Sequence, residues 1–196
     1  MFIVGVTGGS GAGKTALCAC LQKLGAAVIN ADEVYAGLLR RSAPLRRELA
    51  ERFGTCERRR LSAIVFAEPG ELDALNAITA PHTLAAVKRR LHKQKAETVF
   101  VEAILLLETE LAALCDMRVA VTAPYGARLE RAAARDGRGR AEIAQRLKNQ
   151  KPDSYYAQGC DIVIVNTGSV DALEGEARKL LDEVFVWAQR KRNATG

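Results

Sequence analysis

Short apolar segments alternate with longer amphipathic segments along most of the chain. The apolar segments are rich in β-branched residues, as is typical of buried strands, and they cover residues 2–7, 26–29, 98–101, 117–121 and 161–165. Helical patterns separate them, an order that favours β-α-β units. The pattern therefore predicts an α/β fold with three layers and a parallel central sheet. Its second strand, Ala26–Ile29, is apolar on both faces and is expected to be fully buried.

The stretch between the second and third strands has a different pattern. From Asp32 to Lys95 it is helical throughout, with Ser42 suited to start one helix and Gly54 to end it. Two prolines, Pro69 and Pro81, predict further breaks. A helical block between two core strands is typical of a substrate-binding insertion, and a set of crossover helices is the alternative.

An arginine-rich hairpin is predicted after the fourth strand. One helix should follow Pro124 and run to about Arg135, and a second should cover 140–150, with a glycine-rich break at 136–139 between them. This arrangement is typical of a mobile lid. A last helix is expected from Asp171 to about Gln189.

Residues 8–15, Gly-Gly-Ser-Gly-Ala-Gly-Lys-Thr, match the phosphate-loop pattern G-x-x-x-x-G-K-[ST] between a predicted strand and a predicted helix. Glycines let backbone N–H groups converge on phosphate oxygens, and the helix N-terminus adds the positive end of its dipole. Lys14 should reach the β- and γ-phosphates, and the Thr15 hydroxyl should bind Mg²⁺. We therefore predict ATP and Mg²⁺ as ligands, with nucleotide contacts from Gly9, Ser10, Gly11, Ala12, Gly13, Lys14, Thr15 and Ala16.

Three acidic residues are candidates for the chemistry beside this loop. Asp32 follows the second strand, where it would act as a general base or only cap the next helix. Glu102 ends the third strand, where it would hold Mg²⁺ or be a solvated strand end. Glu108 is either a site residue or a helix-start charge. Position alone leaves each pair of readings open.

Charge and apolar runs argue against several classes of partner. The net charge of +6 comes largely from arginine clusters, which suit either solvated helix faces or an anionic partner. No aromatic residues are interleaved with these clusters in a stacking pattern, so nucleic acid is not expected. No apolar run reaches the roughly 20 residues that span a bilayer, so we expect no membrane partner and a cytoplasmic protein. The five cysteines lack metal-site spacing and are expected to be free thiols.

An ordered set of motifs extends over essentially the whole chain. In order, these are Gly5-Val6-Thr7-Gly8-Gly9, Gly13-Lys14-Thr15, Val28-Ile29-Asn30-Ala31-Asp32, Phe53-Gly54, Leu75-Asn76, Leu105-Leu106 with Glu108, Arg131 with Arg135-Asp136, Gln150, and Asp161-Ile162-Val163-Ile164 with Asn166. The set resembles the dephospho-CoA kinase family, whereas the phosphate loop alone is not specific to one family.

The resemblance implies a kinase that transfers the γ-phosphoryl group of ATP to the ribose 3′-hydroxyl of dephospho-CoA, with Mg²⁺. Its nucleotide core would comprise residues 1–31, 97–135 and 158–196, its helical acceptor-binding insertion residues 32–96, and its arginine-rich lid residues 136–157. ATP and dephospho-CoA would be its partners. The sequence gives no oligomeric state.

The resemblance also assigns roles to single residues. Asp32 takes the position of the family's catalytic base, and Arg131 and Arg135 would neutralise charge on the transferring phosphates together with Lys14. Asn166 would lie beside the adenine of ATP. The acceptor would be bound by Asp32, Arg58 and Glu108.

The chain departs from the family pattern at a few positions. The family usually has Asp where this chain has Asn30, His where it has Ala80, and Pro where it has Ile104. Since the phosphate loop is complete, altered acceptor binding is favoured over loss of ATP binding. Two other functions stay open: a phosphate-loop kinase of another small acceptor such as a nucleoside, and a nucleotide-binding regulator that transfers no phosphate.

Overall fold

A computed structural model describes residues 1–68 and 70–195. The chain forms two compact units, one made of residues 1–28 and the chain from Lys95 onward, the other made of residues 29–94. Pro69, where a break was predicted, lies outside the described residues. Across those residues, no helix combines the length and the apolar character needed to cross a membrane.

The strands form one sheet with the order β2-β3-β1-β4-β5. Their bounds are β1 Phe2–Thr7, β2 Ala27–Asn30, β3 Thr98–Glu102, β4 Met117–Thr122 and β5 Ile162–Val165. β1 pairs in parallel with both β3 and β4, and β4 pairs in parallel with β5. The predicted parallel-sheet α/β class is thus confirmed, but β2 is not fully buried as expected, because only Ile29 in it is buried.

Helices connect and flank these strands. Their bounds are α1 Lys14–Lys23, α2 Ala31–Arg41, α3 Ala43–Phe53, α4 Arg58–Ala67, α5 Glu71–Lys93, α6 Tyr125–Asp136, α7 Arg140–Lys148, α8 Asp153–Gly159 and α9 Val170–Thr195, with a 3₁₀ turn at Ala112–Leu114. The short helix α8 and the 3₁₀ turn were not predicted. Helix α7 ends two residues earlier than expected, and α9 is longer at both ends.

The largest apolar core lies between the sheet and helices α1 and α9. Alternate residues of β1 and β4 face these helices, as the two-residue period of a strand requires. The side chains that share this core include Val4, Val6, Val119, Val121, Leu17, Leu21, Leu180 and Val184. Burial of both α1 leucines fixes the helix that begins at the end of the phosphate loop.

Helices α2 to α5 form the helical unit around a separate core, which contains Leu39, Leu45, Leu49 and Leu61. The Ser42 hydroxyl accepts a hydrogen bond from the Leu45 N–H, and Gly54 ends α3 with a φ of 69°, as expected. The break predicted at Pro81 is wrong, because this proline lies inside the 23-residue helix α5. Proline removes only one helical hydrogen bond, and packing of α5 against α2, α3 and α4 outweighs that loss.

Candidate active site

The phosphate loop connects β1 to α1 at the carboxyl edge of the sheet. Gly11 and Gly13 have positive φ values of 76° and 107°, and a Cβ at Gly13 would lie 2.0 Å from the Asn166 amide nitrogen. Only glycine suits such a position. Helix α1 has no side-chain cap and no acidic residue in its first turn. Its first N–H groups therefore retain their capacity for an anion.

Lys14 is folded into the loop. Its ammonium donates hydrogen bonds to the carbonyl oxygens of Gly8, at 2.8 Å, and Gly9, at 3.1 Å. The residue is only 8% exposed. The positive charge is therefore held beside the glycine backbone at the site where the motif predicts the β- and γ-phosphates.

Thr15 and Glu102 form a close pair beside the loop. The Thr15 hydroxyl donates to Glu102 Oε1 at 2.6 Å. Glu102 ends β3 and is 2% exposed, so its reading as a solvated strand end is wrong. Burial and the Glu102 charge raise the pKa of the neighbouring Cys18 thiol, which keeps that cysteine neutral.

The donor set in this pair fits Mg²⁺. Within the described parts of the chain, no cluster of three or more His, Cys, Asp or Glu side chains could hold a metal ion. Mg²⁺ typically takes only one or two carboxylates from a kinase and completes its shell with phosphate oxygens and water. A hydroxyl and a carboxylate 2.6 Å apart meet that requirement.

The two predicted catalytic arginines both reach the loop from α6. Arg131 contacts the Gly11 carbonyl oxygen at 3.4 Å and Asn166 Oδ1 at 3.5 Å. Arg135 donates to the Ser10 hydroxyl at 3.2 Å and, through Nε, to Asp136 Oδ1 at 2.7 Å. The structure thus brings both guanidinium groups to the phosphate loop.

Asn166 holds the loop from beyond the end of β5. Its amide nitrogen donates to the Ala12 carbonyl oxygen at 2.9 Å, and its Oδ1 accepts from the Gly168 N–H at 3.1 Å. The side chain is buried, at 7% exposure. The structure therefore shows a loop-supporting contact, while its place beside adenine stays a prediction.

Glu108 lies in the turns that follow β3. The 3₁₀ turn begins only at Ala112, so the reading of Glu108 as a helix-start charge is wrong. Burial is the main cause that raises the pKa of Glu108, and the nearby Lys151 and Tyr155 side chains partly offset this rise. The Lys151 ammonium lies 5.4 Å from the Tyr155 ring centre. Glu108 is therefore part of a polar cluster with α8.

The helical unit carries the other two candidates. Asp32 is exposed in the first turn of α2, whose N-cap is Asn30, with Oδ1 accepting from the Glu33 N–H at 3.0 Å. The reading of Asp32 as the cap is therefore wrong. Arg58 is the exposed first residue of α4, and its charge opposes the rise in the pKa of Tyr35 that burial causes.

A model of the dephospho-CoA kinase family matches residues 2–172. This chain belongs to the dephospho-CoA kinase family. The resemblance predicted from the ordered motifs is confirmed, and the match covers the phosphate loop, the helical unit and every arginine described above.

Individual dephospho-CoA kinases and solved structures agree with this assignment. The dephospho-CoA kinase of Anaeromyxobacter dehalogenans is 36% identical over 94% of this chain and 92% of its own. A solved Thermus thermophilus structure is 31% identical, with a TM-score of 0.78 over 93% of this chain and 97% of that one. Dephospho-CoA kinase from Campylobacter jejuni has a TM-score of 0.65 at 22% identity, over 93% and 96% of the two chains, and so supports the fold.

Sequence reasoning missed Arg146 as a site residue of this family member. Arg146 donates to the Ser10 hydroxyl at 3.2 Å and pairs with Asp136 at 2.7 Å. Hydrogen bonding from Arg135, and then from Arg146, lowers the pKa of Asp136 to about 2. The expected arginine-rich hairpin pointed to this region, but the sequence offered no reason to select Arg146 among its neighbours. Asp136 thus holds two guanidinium groups at one hydroxyl of the phosphate loop.

Proposed function

We propose that this chain catalyses transfer of the γ-phosphoryl group of ATP to the ribose 3′-hydroxyl of dephospho-CoA. The products are ADP and coenzyme A, and the reaction is the last step of coenzyme A biosynthesis. One observation carries the proposal: in a member of this family, the phosphate loop is complete, with Lys14 folded inside it and the Thr15–Glu102 pair beside it.

The loop and its arginines provide the electrostatic part of the mechanism. The N–H groups at the start of α1 and the Lys14 ammonium bind the β- and γ-phosphates. Arg131 and Arg135 then neutralise charge that spreads over the transferring group in the transition state. Both guanidinium groups already contact the loop, so little reorganisation is required.

Mg²⁺ is the metal that we assign to the site. Thr15 and Glu102 would hold it, directly or through water, and it would offset the negative charge shared by the β- and γ-phosphates. The 2.6 Å hydrogen bond between these two side chains supports the assignment, because it places two oxygen ligands next to each other.

Asp32 is proposed as the base that accepts the proton of the attacking hydroxyl. Its exposed position in the first turn of α2 leaves the carboxylate accessible to a substrate. Arg58 and Glu108 are proposed to contact the acceptor, and Asn166 to lie beside adenine. The proposal also divides the chain into a nucleotide core (residues 1–31, 97–135 and 158–196), an acceptor-binding insertion (32–96) and a lid (136–157). A cytoplasmic location stays a prediction.

The test is acceptor-dependent ADP release by the purified chain with Mg-ATP. Dephospho-CoA should stimulate ADP release strongly, whereas uridine, a nucleoside monophosphate and shikimate should not. Lys14→Ala should lower the stimulated rate, and Arg178→Met, an exposed change on α9, should not. Stimulation by another acceptor but not by dephospho-CoA would overturn the proposed substrate, and ATP binding without any stimulation would indicate a non-catalytic nucleotide-binding protein.

A further inference from the structure

Arg128 is a buried arginine that the mechanism above does not use. It lies on α6, one turn before Arg131, and is 6% exposed. Burying a guanidinium group costs free energy unless hydrogen bonds and opposite charge compensate it. The contacts of Arg128 therefore show which groups compensate the cost of its burial.

Each nitrogen of the Arg128 guanidinium group has a hydrogen-bond acceptor. Nε donates to the Ser10 carbonyl oxygen at 3.1 Å, Nη1 to Asp153 Oδ1 at 3.0 Å, and Nη2 to Gln150 Oε1 at 3.0 Å. Asp153 begins α8, and Gln150 lies between α7 and α8. One side chain of α6 thus joins the phosphate loop to the segment after α7.

Gln150 provides a second connection to the same residue of the loop, Ser10. Its Oε1 accepts the Arg128 contact and also accepts a hydrogen bond from the Ser10 N–H at 2.9 Å. Both backbone polar groups of Ser10 are therefore bound, its N–H by Gln150 and its C=O by Arg128. The two peptide units that flank the Ser10 Cα, Gly9–Ser10 and Ser10–Gly11, are thus both held from outside the loop.

The space around the loop shows how closely Arg128 supports it. A Cβ added at Gly9 would lie 2.1 Å from Arg128 Nη2, and one at Gly11 would lie 2.3 Å from the Arg128 carbonyl oxygen. Because these two glycines have no side chain, Arg128 packs directly against the backbone of the loop. If the guanidinium group moved, the backbone of the loop before Ala12 would lose the side chain against which it packs.

We propose that Arg128 and Gln150 are positioning residues for ATP: together they hold the two peptide units that flank Ser10, so that the N–H groups that follow converge on the polyphosphate. The inference deepens the proposed function and rests on it. Neither side chain needs to touch the nucleotide. Because both side chains hold Ser10 and are hydrogen-bonded to each other, their effects on ATP affinity should not be additive.

The test measures the dissociation constants of Mg-ATP and Mg-ADP by calorimetry without an acceptor, together with KM and kcat. Arg128→Met and Gln150→Leu should each weaken binding of both nucleotides about tenfold or more, as expected for a lost hydrogen bond to a charged group. KM for dephospho-CoA should change less than about twofold. Gln150→Glu retains an oxygen acceptor for Ser10 and Arg128 and should restore most of the affinity. Arg178→Met is the matched control for removing an arginine.

The double variant Arg128→Met/Gln150→Leu separates positioning from general destabilisation. The positioning role predicts a loss of ATP affinity close to that of the weaker-binding single variant. Additive losses, or thermal destabilisation with ATP affinity within about twofold of the parent, would overturn it. If Arg128→Met fails to fold, the comparison of Gln150→Leu with Gln150→Glu decides the question by itself: equal affinities contradict the role.

This design also separates the inference from the proposed function. Nucleotide affinity is measured without an acceptor, so it reports on Arg128 and Gln150 even if dephospho-CoA is not the substrate. A parent chain that binds Mg-ATP but forms no coenzyme A would contradict the proposed function alone.

Discussion

The surroundings of the phosphate loop and the helical unit both carry charged candidate residues, but they hold them differently. Around the loop, Lys14, Glu102 and Arg128 are at most 8% exposed and have fixed partners. In the helical unit, Asp32 and Arg58 are exposed at the starts of two helices. The charges around the loop are therefore held in place by contacts within the protein.

From this difference we predict a division of labour between ATP binding and acceptor chemistry. Charges that are already oriented need little rearrangement when the phosphates arrive. Exposed charges at helix starts are not oriented in this way, and side chains on such surfaces often change rotamer when a partner binds. Substitutions of Lys14 and of the residues that hold the loop should therefore change nucleotide affinity more than acceptor affinity, and those in the helical unit should change mainly turnover or acceptor affinity.

Asp32→Asn should give the largest effect. Loss of a positioned base lowers kcat by about 10² to 10⁴, while ATP affinity should stay within about twofold. Steady-state kinetics and calorimetry on the same preparation measure both quantities. Glu33→Gln removes an adjacent exposed carboxylate in the same turn of α2 and is the matched control. Near-normal turnover of Asp32→Asn would show that another residue is the base.

Lys14→Ala should affect mainly the binding of ATP. Removing an ammonium that binds phosphate should raise KM for ATP about 10- to 100-fold, with a smaller change in KM for dephospho-CoA. Lys23→Ala, at the opposite end of α1, is the control, because Lys23 is exposed and its ammonium pairs with the Glu174 carboxylate at 3.4 Å. Equal changes in both KM values would contradict the proposed separation.

Arg58→Met should have a moderate effect on the acceptor alone. A single exposed charge contributes modestly, so KM for dephospho-CoA should rise up to about tenfold while KM for ATP is unchanged. Arg59→Met, the neighbouring exposed arginine on α4, provides the comparison. If both variants behave alike, the effect belongs to the general charge of the helix and not to Arg58.

Asp136→Asn should produce the smallest effect, a change in the pH dependence of the free energy of unfolding. The folded-state pKa of Asp136 is about 2, below its ordinary value of 3.8, so the ionised carboxylate stabilises the fold at pH values above about 4. That contribution is lost as the pH falls towards 2. Urea unfolding between pH 5 and 3 should show a weaker pH dependence for Asp136→Asn than for the parent. Glu142→Gln, an exposed change on α7, should keep the parent's dependence.

The sequence was sufficient for the sheet and the phosphate loop because both depend on local rules. Alternating strand and helix patterns predicted the parallel sheet, and the glycine pattern placed Lys14 and Thr15 correctly in the loop. The position of Glu102 was also predicted, but its burial was not. Whether an acidic strand end is solvated depends on its neighbours in space.

The parts that the sequence did not predict depend on distant contacts. Ser10 and Arg128 are 118 positions apart, and Ser10 and Gln150 are 140 apart, so no local pattern indicates that they meet. Distant contacts also explain why the predicted helix break at Pro81 was wrong. Whether a helix tolerates a proline depends on its packing, and α5 packs against other helices of the unit.

Identification of the product by mass spectrometry and ³¹P NMR, after incubation with Mg-ATP and dephospho-CoA, tests the division of labour and the proposed reaction together. We predict one added phosphoryl group on the ribose 3′-hydroxyl, a product identical to authentic coenzyme A, and its near absence with Asp32→Asn. A phosphoryl group on any other atom, or ADP formation without a phosphorylated product, would contradict the proposed reaction.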